Sequence, residues 1–165
     1  MKKLIYIFIL INFMCLDINA QTNSDSLKIS KIDSIVQYRY TRDFFSDLTQ
    51  VHILDSTDNK TVTGRFKNGQ LIDIYYSSVF GECESASFSL LDDSLIFVEY
   101  RLSDPDIRSD MPNTTFYKIY FQNSNQFFQS VSHYRDGAQT CDSYSPNSKD
   151  FIKEYIYYKR LLTKN

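Results

Sequence analysis

Few groups in this chain could do chemistry: His52 and His133, Cys83 and Cys141, and the acidic clusters Glu82-Cys83-Glu84 and Asp104-Pro105-Asp106-Ile107-Arg108-Ser109-Asp110. A histidine beside a thiol makes a nucleophile pair, because the imidazole takes the thiol proton. His133 and Cys141 are the candidates, and only folding could bring them together. Glu82 and Glu84 are two apart, so in a strand they would share a face and form a carboxylate pair suited to acid and base work. The three aspartates between 104 and 110 could gather around calcium. Their spacing is not that of an EF-hand loop, the central glycine is missing, and Arg108 can neutralise them, so a solvated loop is expected.

No metal site is expected, since neither cysteine has a Cys or His partner at ligand spacing. The sequence has no G-x-S-x-G, H-E-x-x-H, P-loop or dinucleotide fingerprint, so no catalytic residue and no cofactor is assigned. Both histidines lie in strand-like contexts, Val51-His52-Ile53 and Ser132-His133-Tyr134. A small hydrolase using His133 with Cys141 or a nearby carboxylate stays open, because catalytic triads are defined by geometry rather than sequence order.

Compartment follows from the first twenty residues. Lys2 and Lys3 precede an apolar run, Leu4 to Ile11, that continues through Phe13, Met14, Cys15 and Leu16. This is the form of a signal peptide, with Ala20 before the cleavage point and Gln21 as the mature start. Asn12 and Asp17 interrupt the run, which falls short of the ~20 apolar residues of a spanning helix. The expected organisation is therefore a signal peptide at 1–20 and one globular domain at 21–165, exported to the periplasm or secreted, with no membrane span after cleavage. In an oxidising compartment the remaining pair, Cys83 and Cys141, reads first as a disulfide, with two buried thiols as the alternative.

A formal net charge of −2 and scattered Lys and Arg argue against nucleic acid as a partner. A hydrophobic content of 42% is too high for a disordered chain.

The elements that must position these groups are mostly strands. Ser24 to Tyr40 carries apolar residues at helical steps behind Ser24, Asp25 and Ser26 as possible caps, and reads as a helix. From Thr49 the chain alternates Val, Ile, Tyr, Phe and Thr with polar residues, the pattern of antiparallel strands. Asn68-Gly69 marks a two-residue type I′ turn. The register it implies places Lys67 opposite Gln70, Phe66 opposite Leu71, Arg65 opposite Ile72, Thr63 opposite Ile74 and Val62 opposite Tyr75. A second hairpin around Asp92-Asp93 repeats the first, with Leu71, Ile72, Ile74 and Tyr76 recurring as Leu95, Ile96, Val98 and Tyr100. A third, around Asn123-Ser124-Asn125, has the form of a hairpin but not the repeat's spacing. A loop runs from Gly137 through Pro146. Asn147 to Leu162 then reads as a closing helix capped by Asn147 or Ser148, with a final strand as the alternative. The expected fold is α+β, mostly β: an antiparallel β-meander of about six to seven strands in tandem hairpins, with an N-terminal and a C-terminal helix.

Alternation then divides the hairpins into two faces. Phe66, Leu71, Phe88, Leu90, Leu95 and Phe97 form the expected core face. Ile72, Ile74, Tyr76, Ile96, Val98 and Tyr100, interleaved with Thr61, Thr63, Ser85, Ser87 and Ser89, form the other. Tyrosines combine large rigid area with a polar tip, and hydroxyls adapt their hydrogen bonds. Tyr76, Tyr100, Ile74, Val98 and Ser87 are therefore the candidate binding residues, for a protein or glycan; the alternative is that a helix or loop covers them. The function expected is a non-enzymatic exported binding domain. A periplasmic inhibitor or immunity protein against a cell-wall hydrolase is the sharper alternative.

Overall fold

Turn chemistry organises the sheet. Asn68 and Gly69 both take positive φ, 52° and 77°, the left-handed pair of a type I′ turn, whose twist matches the strands it joins. Asp92 and Asp93 adopt the same pair, at 48° and 66°, although aspartate is less suited to it than glycine. The C-terminal helix holds that second turn. Its Tyr155 hydroxyl donates to the Asp93 carbonyl at 2.7 Å, and Lys159 pairs with the Asp93 carboxylate.

The computed structural model describes residues 24–41, 44, 47–78, 83–104, 113–123, 125–135, 138–142 and 150–164. The expected signal segment, Glu82, and the acidic positions 105–110 lie outside the described residues. The chain divides into two units, Met1–Tyr38 and Arg39–Asn165. A helix, α1, spans residues 24–39 as expected, with Lys28 paired to Asp25 at 3.1 Å within the first unit. No described helix is long and apolar enough to cross a membrane.

The second unit holds strands β1 (Thr49–Asp55), β2 (Lys60–Lys67), β3 (Gln70–Ser78), β4 (Cys83–Leu91), β5 (Ser94–Asp104), β6 (Asn113–Gln122), β7 (Asn125–Arg135) and β8 (Ala138–Asp142), followed by helix α2 (Phe151–Thr163). They form one eight-stranded sheet in sequence order, antiparallel throughout. The expected meander is therefore present, with eight strands instead of six or seven. The extra strand, β8, forms where a loop was expected: the outer edge of β7 offers unpaired N–H and C=O groups, and Ala138–Asp142 pairs with them.

The register departs from the expected one at a single kind of place. Lys67 faces Gln70 and Phe66 faces Leu71 as expected, but the register then shifts, so that Arg65 faces Asp73, Gly64 faces Ile74 and Val62 faces Tyr76. Ile72 is the extra residue of a β-bulge, which a register extrapolated from the turn cannot contain. The same shift falls between Ser89 and Leu90 and between Tyr120 and Phe121, where Ile96 and Phe127 take the place of Ile72. All three hairpins therefore share one plan of turn and bulge, including the third, whose sequence does not repeat.

Beyond each bulge the two faces exchange residues relative to ideal alternation. Leu71, Leu90 and Leu95 consequently join Val62, Ile74, Tyr76, Phe88, Val98, Tyr100 and Ile119 in one core. Helix α2 covers it. Phe151, Tyr155, Tyr158 and Leu162 recur every three or four residues and are the helix's buried side chains. Tyr158 meets Tyr76 with ring centroids 5.3 Å apart, and Phe151 meets Tyr100 at 5.3 Å. Each such side chain contributes ~1.5–3 kcal/mol by leaving water. Gly64 lets the helix approach, since a Cβ there would lie 2.9 Å from both Leu162 methyls. The helix starts later than expected: its cap is Asp150, whose carboxylate accepts from the Lys153 N–H at 3.1 Å, and Asn147 and Ser148 lie outside the described residues.

Candidate functional site

Ionisable groups converge where the β1–β2 turn, the end of β3, the start of β4 and the first turns of α2 meet. Lys60 opens β2 and is buried. Its Nζ lies 3.7 Å from both Glu84 Oε1 and Glu154 Oε1 and 4.3 Å from the centre of the Tyr76 ring. The Tyr76 hydroxyl lies 2.8 Å from Glu84 Oε1 and 3.2 Å from Glu154 Oε2, so one phenolic proton serves two carboxylates. Burial and the neighbouring Glu154 push the Tyr76 hydroxyl far above the ordinary tyrosine range, keeping it a donor. Ser78 Oγ accepts from the Glu84 N–H at 3.3 Å and ties β3 to β4 below the carboxylate.

This network satisfies itself: an ammonium between two carboxylates, bridged by a phenol. Its effect is to fasten α2 to the sheet. On its outer side, Thr57, Asp58, Lys153, Glu154, Tyr157 and Tyr158 line a cavity of about 320 Å³. The Tyr158 hydroxyl is buried and makes no hydrogen bond among the described residues. Burial, Glu154, Asp58 and Asp55 all push that hydroxyl upward.

The other face of the sheet is different in kind. One row across it reads His52, Thr63, Tyr75, Ser87, Glu99, Lys118 and Ser130, each opposite the next. The next row carries Thr61, Ser77, Ser85, Arg101, Phe116 and Ser132. Tyr75 is 43% exposed and Tyr134 40%. Phe116 and Tyr134 meet edge to face at 5.3 Å, with the Arg101 guanidinium 5.7 Å from the Phe116 ring centre.

At its turn end this face has one buried charged cluster. Asp73 lies 3.3 Å from Arg39 and 3.1 Å from Arg65, and Arg39 also donates to the carbonyls of Ile72, at 2.9 Å, and Leu90. Both carbonyls sit at bulges, where the ladder is interrupted and an outside donor is needed. Burial pushes the Asp73 carboxyl up, against the pull of Arg65 and Arg39.

Several expected site residues are therefore relocated. Tyr76, Ile74 and Val98 are fully buried and Tyr100 is 7% exposed; all four belong to the core under α2, not to an accessible face. Ser87 does not share their face. It stands opposite Tyr75, because the bulge at Ile72 moves the tyrosine of the polar face one position back along β3. The expected Cys83–Cys141 disulfide is not present. Strands β4 and β8 have three strands between them, roughly 19 Å along the sheet at ordinary spacing, whereas a disulfide needs Cα atoms within about 7 Å. Cys141 stands opposite Ser132, one position out of step with His133, which faces Thr140. His133 instead bonds Thr115 Oγ1 at 3.0 Å, and His52 bonds Thr63 Oγ1 at 2.9 Å. Of the expected carboxylate pair only Glu84 lies among the described residues, and its partner there is Glu154. Lys60, Glu154 and Tyr158 were not singled out by sequence reasoning, since nothing in their spacing links them.

No group of three or more His, Cys, Asp or Glu among the described residues is arranged to hold a metal ion. Comparison of the chain with models of protein families, with curated proteins and with solved structures finds no match.

Proposed function

We propose that this chain is an exported, non-enzymatic binding domain that holds a glycan on the polar face of its sheet. The observation that carries this reading is the row from His52 to Ser130, seven strands wide and polar at every position, with half-exposed aromatic rings beside it. A sugar ring offers apolar faces to stack on Tyr75, Phe116 or Tyr134 and hydroxyls to bond with Ser, Thr, Glu and Arg. A protein interface fits less well, because its core normally excludes charges such as Glu99 and Lys118 and is anchored by buried apolar side chains. Export rests on the form of residues 1–20, and mass spectrometry of the native protein should find a chain starting at or near Gln21.

The test is a glycan array followed by titration of the best ligand. Tyr75→Ala and Arg101→Ala should each weaken binding by more than about 1 kcal/mol while leaving the melting curve in place. Retention of a protein in a pull-down, with no glycan bound, would move the assignment to a protein partner such as an inhibited hydrolase. Loss of neither ligand on altering Tyr75 and Arg101 would remove this face from consideration.

A further inference from the structure

Strand β1 is one edge of the sheet, and among the described residues no backbone group pairs with its outer side. Proteins blunt such an edge with lysine, proline, a bulge or a very short strand. β1 has none of these. Its residues are Thr49-Gln50-Val51-His52-Ile53-Leu54-Asp55, and its seven pairs with β2 run without a register shift. The opposite edge, β8, has only five residues. Within β1 only Asp55 is buried, and Leu54 is 66% exposed. Val51 and Ile53 are partly buried against the core on the α2 side, so Gln50, His52 and Leu54 lie on the polar face. His52 is the middle residue, its Nδ1 bonded to Thr63 Oγ1 in the neighbouring strand. From Thr49 to Leu54 no lysine, arginine or carboxylate is present to repel a strand laid alongside.

We propose that β1 pairs antiparallel with β1 of a second copy of this chain, across a twofold axis at His52. Using the whole strand puts the axis there. Val51 of each copy then stands opposite Ile53 of the other, Gln50 opposite Leu54, and Thr49 opposite Asp55. The two Val–Ile pairs are of the β-branched kind that strands favour, and they lie next to a groove of about 430 Å³ lined by Thr49, Val51, Phe66 and Leu162 among others. A foreign strand would need apolar residues on either side of a polar centre. A second copy has them at the matching positions. The pairing satisfies the outward N–H and C=O groups of both edges at once and, being isologous, closes as a dimer. Its axis is perpendicular to the sheet, so the two polar faces look the same way and join along their His52 edges. The pairing rests on β1 alone, whatever the polar face holds.

Sedimentation of the purified protein at rising concentration should show a reversible monomer–dimer equilibrium without larger species. In hydrogen exchange, the β1 amides should become better protected as the dimer forms, while those of β8 stay unchanged. A substitution on the axis meets its own copy. His52→Lys and His52→Asp should therefore each weaken the dimer about fivefold, as like charges directly opposite do, and an equimolar mixture of the two should recover it as a heterodimer. Only a contact in which residue 52 faces residue 52 gives that recovery. At dilutions where the wild type is monomeric, both variants should melt as it does, since His52 is exposed. A monomer at every concentration, a dimer indifferent to both substitutions, or a mixture no tighter than either variant alone would overturn the proposal. Growth into filaments with β8 also protected would overturn it too, by showing head-to-tail pairing of β1 with β8.

Discussion

Across the sheet, Ile53, Val62, Tyr76, Ala86, Tyr100, Tyr117 and Val131 form one register row, and His52, Thr63, Tyr75, Ser87, Glu99, Lys118 and Ser130 form the next. The two rows use adjacent residues of the same seven strands, yet the first holds only aliphatic and tyrosine side chains, while the second holds, apart from Tyr75, only hydroxyl, charged and imidazole ones. The difference shows that the main core of this sheet lies on the face sealed by α2, while its second face is partly wet along this row and buries Phe97 and Tyr120 nearer the turns. It also shows how much depends on one residue of register, since a slip of one exchanges the faces completely.

The largest expected effect tests that contrast directly. Phe88→Ala and Tyr76→Ala should each cost about 3–5 kcal/mol in a urea melt, as deletions of large buried aromatics do. Ser87→Ala and Tyr75→Ala, next to them in the chain, should stay within about 0.5 kcal/mol. Comparable losses in both pairs would mean that the polar face is also a core.

Much of the first face was legible in the sequence. Asn68-Gly69 gave the turn, and the turn gave the first two residue pairs correctly. Helical spacing of Phe151, Tyr155 and Leu162 gave the covering helix. What could not be read was the bulge. Ile72, Ile96 and Phe127 look like ordinary strand residues, and nothing in their types marks them as the extra ones. Beyond Ile72 ideal alternation therefore placed Tyr76 and Ser87 together, when Tyr75 is the tyrosine that stands opposite Ser87. The Lys60, Glu84, Glu154 and Tyr76 network was hidden for another reason: its members come from three strands and a helix, and meet only once the meander has formed.

The polar face is not wet throughout, since Ser89, Phe97 and Tyr120 in the row of Asp73 are buried too; the next prediction concerns the charged member of that row. Asp73 is 2% exposed between Arg39 and Arg65. Asp73→Ala would leave two nearly buried guanidinium groups without their carboxylate, at a cost of about 3 kcal/mol. A loss below about 1 kcal/mol would show that the bulge carbonyls of Ile72 and Leu90 suffice to hold Arg39.

Glycine substitutions probe the geometry of the first face with smaller effects. Gly64→Val would press on Leu162 and Phe66 and should cost about 1–3 kcal/mol through overpacking. Gly69→Val has open space around it but a φ of +77°, and should cost about 1–2 kcal/mol from backbone conformation alone. The two can be told apart by Leu162→Ala, which should relieve the first and leave the second unchanged.

The smallest change in stability is expected at Tyr158, which parts company here with Tyr76, its neighbour in the core. Tyr76→Phe removes a hydroxyl bonded to Glu84 and Glu154 and should destabilise by about 1.5–3 kcal/mol. Tyr158→Phe removes a buried hydroxyl with no partner among the described residues. Its ring contacts with Tyr76 at 5.3 Å and Phe88 at 6.5 Å do not depend on that oxygen. Burying an unpaired hydroxyl costs about 1–3 kcal/mol in mutational series. Its removal should therefore leave stability unchanged or raise it by up to about 1 kcal/mol, measured by thermal or urea unfolding. A clear loss of stability in Tyr158→Phe would mean that the hydroxyl is already satisfied within the fold.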